Sequence, residues 1–172
     1  EENLVLVQRT VALGIVILLI SAIVYIGFLV IGENGLVSYR PGDQALESQE
    51  IYSDLIEFNG IQSDGDGIRV CIVDSGIMME HDDLDSVNLV EWKDFVNNQA
   101  SPYDDHGHGT SMAGILVADG WMKGIAPKVD LFVAKALSED GSGVDSVVAE
   151  AIDWCVSKDV HIISLSLGGA PD

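Results

Sequence analysis

Residues 104–114, DDHGHGTSMAG, bring two acids, two histidines, a threonine and a serine together among glycines. Three chemistries suit those side chains. His106 and His108, with Asp104 or Asp105, offer donors of the kind that hold a metal. His108 oriented by a carboxylate would be a general base. Ser111, inside GTSMA, would be a nucleophile. Histidines two apart point to opposite sides of an extended chain, and beyond them the sequence holds only His81 and His161, which weighs against the metal. His108 directly precedes a stretch with helical character, and the positive end of a helix favours the neutral imidazole that a base needs. The local residues leave all three chemistries open.

A second acid joins the list. The run IRVCIV stops at Asp74-Ser75-Gly76 and reads as a buried strand ending in a tight turn. In an open parallel sheet, ligands collect beyond the carboxyl ends of the strands, which is where Asp74 falls. An aspartate there also serves commonly as a turn former or helix cap.

The elements that must position these residues follow in order. QEIYSDLIEF has helical spacing at Ile51, Leu55 and Phe58. After the IRVCIV strand, VNLVEW is a second strand candidate, TSMAGILVA a buried helix, and KVDLFVAKAL a third strand. VDSVVAEAIDWCVSK repeats its apolar residues as an amphipathic helix, and VHIISLSL is a fourth buried strand. Strands alternating with helices predict an α/β fold with an open, mostly parallel sheet.

Ahead of this lies a different kind of segment. From Thr10 to Gly32 no side chain is charged, and a helix of that length rises roughly 30 Å, enough to cross a bilayer. The apolar run exceeds that of a signal peptide, so a membrane span is expected at 10–32, after a flank at 1–9. Residues 33–49 read as a linker and 50–172 as the globular part. Twenty-eight acids against eight bases leave a net charge of −20, a surface that repels nucleic acid and anionic lipid headgroups. Cys71 and Cys155 lie in apolar contexts and are expected to be buried thiols.

Taken in order, these motifs resemble the subtilisin-like serine protease family. GDGIRVCIVDSGI resembles its catalytic-aspartate strand, HDDL at 81–84 the segment after it, and DDHGHGTSMAG its catalytic-histidine motif. KGIAPKVDLFVAKAL and IISLSLGG resemble the two strands that follow. The resemblance covers 65–169 and implies a doubly wound sheet of the subtilisin type, incomplete in this chain. It implies Asp74 and His108 as two members of a Ser-His-Asp triad. It places GTSMA at the histidine position, so Ser111 stands where the family has a second, non-catalytic histidine. His106 matches a variable position.

The resemblance also implies an extended peptide substrate held between two rims, Gly141, Ser142 and Gly143 on one side and Ser166, Leu167 and Gly168 on the other. No cofactor is required, and calcium is allowed at Asp83. The family's nucleophilic serine and oxyanion asparagine lie downstream of residue 172. The chain, opening on Glu1 and stopping at GGAPD, is therefore expected to be a fragment of a single-pass, membrane-anchored endopeptidase whose catalytic part is extracytoplasmic. The competing expectation is a non-catalytic, membrane-tethered peptide-binding pseudoprotease.

Overall fold

Val70, Cys71, Ile72 and Val73 are apolar on both parities, as a strand covered on both faces requires, and all four are buried. They belong to β1 (Arg69–Asp74) in a computed structural model that describes residues 2–31 and 40–169. The other strands are β2 (Leu89–Asp94), β3 (Asp130–Lys135) and β4 (Ile162–Leu165). They form one sheet in the order β2-β3-β1-β4, and every pair is parallel. The helices are α1 (Glu2–Ile31), α2 (Asp43–Leu55), α3 (His108–Val117) and α4 (Asp145–Ser157).

Alternation along the strands sorts the core into two layers. Val70 and Ile72 of β1 with Leu131 and Val133 of β3 pack against Ala113 and Val117 of α3. Cys71 and Val73 with Phe132 and Ala134 pack against Ala151 and Cys155 of α4. The sheet is therefore doubly wound, as expected. Asp74 continues the parity of Val70 and Ile72, which directs its carboxylate to the α3 side.

Two expectations change. Cys71 and Cys155 are joined in a disulfide, with Cα atoms 5.9 Å apart. One lies on the α4-facing parity of β1 and the other on the buried stripe of α4, so the packing that buries them also brings them together. The expected linker at 33–49 is cut short, because α2 begins at Asp43 with Gly42 as its N-cap. Residues 33–39 lie outside the described residues.

The membrane span expected at 10–32 is not carried by the structure. Among the described residues no helix is long and apolar enough to cross a membrane. A helix does run from Glu2 to Ile31, and the side chains described along it at 11–26 are exposed. The side chains of Thr10 and 28–32 fall outside the described residues. Glu1–Arg40 and Pro41–Asp172 are separate compact units.

Candidate active site

Asp74 is the last residue of β1 and has no exposed surface. Its Oδ1 accepts the Ser75 N–H at 2.7 Å, and His108 Nδ1 lies 2.8 Å from Oδ1 and 3.0 Å from Oδ2. An ionised carboxylate can only accept, so Nδ1 carries the proton and Nε2 is left as the basic nitrogen. His108 opens α3 and stays about a third exposed, at the wall of a cleft of about 740 Å³. This is the geometry of an imidazole oriented for proton transfer.

A buried aspartate holds the two elements in place. Asp104 Oδ1 accepts from Ser75 Oγ at 2.9 Å and from the His106 and Gly107 N–H groups at 3.1 and 2.9 Å. Its Oδ2 accepts from the Thr110 N–H at 2.8 Å and the Thr110 hydroxyl at 2.6 Å. Burial alone would raise its pKa, but the hydrogen bonds outweigh that and hold it down at about 2. Asp104 thus caps the first turn of α3, whose own N-cap residue, Gly107, has no side chain. Ser75 completes the link, its hydroxyl accepting the Gly109 N–H at 2.9 Å. Any Cβ at Gly109 would collide with the backbone of Gly76, so the helix start and the strand end touch through glycines.

These contacts weigh against the metal reading. Asp104 is occupied by donors, and Asp105 pairs with Lys135 Nζ at 2.6 Å. Among the described residues no group of three or more His, Cys, Asp and Glu side chains could hold a metal ion. The two histidines are nonetheless nearer than their spacing suggests. Gly107 at φ 91° turns the chain, so both rings line the cleft with centroids 6.2 Å apart. Ser111 is exposed, its hydroxyl donating to the Gly107 carbonyl at 2.9 Å.

Both expected rims, Gly141 to Gly143 and Ser166 to Gly168, line the same cleft as His108. Between them Leu137, Val148 and Ile152 supply apolar surface. The turn leading into the first rim is held by Asp140, which accepts from the Ser142 hydroxyl, the Ser138 hydroxyl and the Ser142 N–H; these bonds lower its pKa to about 2. Gly141 has φ 76° and stands against the His106 ring, where a side chain would not fit.

Asp83 is engaged by the protein itself. Its Oδ1 accepts the Trp121 and Met122 N–H groups at 2.5 and 3.2 Å, and its carbonyl accepts the Asp119 N–H. Gln49 Oε1 takes the next N–H, that of Lys123, at 2.6 Å. Backbone donors aimed at these oxygens oppose a cation, so this arrangement does not fit a calcium ion held through Asp83.

Sequence reasoning passed over Ser75, Thr110 and Lys135 and considered Asp104 only as a metal ligand. The DSG and HGT motifs contain two of these polar residues, but nothing local shows that residues 29 positions apart share a hydrogen bond.

An aspartate at a strand end bonded to a histidine at a helix start, over an open parallel sheet, is the arrangement of subtilisin-type proteases. Residues 65–172 match the Subtilase family, and the chain belongs to that family. It is 36% identical over 123 residues to serine protease AprX of Bacillus subtilis (strain 168), covering 64% of this chain and 27% of the relative. Thermitase of Thermoactinomyces vulgaris is 37% identical over 111 residues, covering 62% of this chain and 39% of thermitase. The crystal structure of a cold adapted subtilisin-like serine proteinase superposes with a TM-score of 0.57 at 31% identity, covering 66% of this chain and 41% of that one. The chain thus spans less than half the length of each of these relatives.

Proposed function

We propose that this chain is part of a serine endopeptidase that hydrolyses peptide bonds by acyl transfer. The observation that carries the reading is the buried Asp74 carboxylate 2.8 Å from His108 Nδ1, at a cleft with two glycine-bearing rims. His108 Nε2 would take the proton of an attacking serine hydroxyl and return it to the leaving amine. Asp74 would hold the tautomer and offset the imidazolium charge. The serine, and the donors for the oxyanion, would come from polypeptide beyond residue 172. A protein segment in extended form would lie between the 141–143 and 166–168 rims and bond to their backbone. The reading requires no cofactor.

Anchoring is a further part of the proposal. It is supported by the uncharged run 10–32 of the sequence, and the catalytic unit would then stand outside the cytoplasm, where a disulfide such as Cys71–Cys155 persists. The test is to express the uninterrupted gene product in membranes and treat it with a fluorophosphonate probe. Labelling of a serine downstream of residue 172, abolished by His108→Ala, is the expected result. A full-length protein that binds peptides through the cleft yet takes no label would establish the pseudoprotease instead.

A further inference from the structure

Lys135 is the largest fully buried side chain among the described residues. A lysine with no exposed surface is rare, because an ammonium loses its hydration there, and a leucine or methionine would fill the same space without that cost. Its place in the fold is specific. Lys135 ends β3 and is the register partner of Asp74 in β1. It continues the parity of Leu131 and Val133, so it lies on the same face of the sheet as Asp74.

The ammonium has three protons and three acceptors. Nζ donates to the Ser75 carbonyl at 2.6 Å, to Asp105 Oδ1 at 2.6 Å and to the Leu137 carbonyl at 2.8 Å, with the Tyr103 ring 5.0 Å away. Ser75 is the residue whose N–H bonds Asp74, and its carbonyl is now fixed as well. Asp105 belongs to the loop that leads through Gly107 into His108. One cation therefore grips the turn after the acid, the loop before the base, and the end of the strand between β1 and β2.

We propose that Lys135 is a positioning residue that sets His108 against Asp74. It hydrogen-bonds to neither side chain and acts through the Ser75 carbonyl and Asp105. This deepens the reading of the site given above, but it rests on the Asp74–His108 contact and not on peptide hydrolysis.

The test reads that contact directly. In the full-length protein with nitrogen-15 histidine, the His108 Nδ1–H proton should give a low-field resonance that Asp74→Asn displaces. Lys135→Met should keep the far-ultraviolet circular dichroism yet lose this resonance. Asp105→Ala, at a side chain already partly in solvent, should keep the fold and speed exchange of the same proton at least about tenfold, because the loop is released. A purely structural lysine would lower the melting temperature and leave the resonance unchanged. If Lys135→Met does not fold, Asp105→Ala decides alone. A folded variant of either kind whose His108 proton keeps its wild-type position and exchange rate overturns the proposal. A full-length protein that cleaves nothing would sink the protease reading and leave this one standing.

Discussion

Ser75 and Asp104, 29 residues apart, share a buried hydrogen bond of 2.9 Å that joins the end of β1 to the loop before α3. Asp104 is held near pKa 2, below the roughly 3.9 of an unfolded aspartate. A depressed carboxylate stabilises the fold above its unfolded value and loses that contribution as pH falls through its folded one. Asp104 should therefore contribute on the order of 2 kcal/mol at neutral pH, lost progressively between about pH 4 and pH 2. Denaturant titrations across that window should show a steeper acid slope for the wild type than for Asp104→Asn. Equal slopes would mean that another carboxylate carries the acid sensitivity.

The two histidines lie at one cleft but should not share a role. In the complete enzyme, Asp74→Asn should leave folding intact and lower kcat on the order of 10⁴-fold, because the wrong imidazole tautomer is then favoured. His108→Ala should cost at least as much. His106→Ala should change kcat only a few-fold, with its effect in KM, since His106 borders the Gly141 rim. Steady-state kinetics on one peptide substrate decide it; loss of turnover in His106→Ala alone would reverse the assignment.

The disulfide closes a stretch of 84 residues. Cross-links of that span restrict the unfolded chain enough to stabilise by about 2–5 kcal/mol. Cys155→Ala, or reduction of the wild type, should lower the unfolding midpoint accordingly. Reductant should have no effect on Cys155→Ala, and the same drop in that variant would show that the bond is not the cause.

Asp83 should anchor the 119–124 loop without an ion. Asp83→Ala removes the carboxylate acceptor of the Trp121 and Met122 N–H groups and should destabilise by about 1–3 kcal/mol. A calcium chelator should leave the wild-type melting curve where it is. A chelator effect as large as the mutation's would restore calcium to this site.

What could be read from adjacent residues was the chemistry and the alternation. Unbroken apolar runs marked β1 and β3 and helical spacing marked α4, whereas the acid at a strand end and the histidine at a helix start were joined as partners only by the resemblance of their motifs to the subtilisin-like family. The start of α2 was missed because Pro41-Gly42 suits a turn and a helix start equally well. Both histidines at one cleft were missed because the left-handed bend at Gly107 depends on how Asp104 grips the loop.

Strand order decided the rest. Placing β3 beside β1 sets Lys135 opposite Asp74, and winding α4 over the other face sets Cys155 against Cys71. A lysine looks like a surface residue and two distant cysteines look independent until the sheet is assembled. Burial and pairing belong to the space between elements, and only the packed sheet brings together residues that the chain keeps far apart.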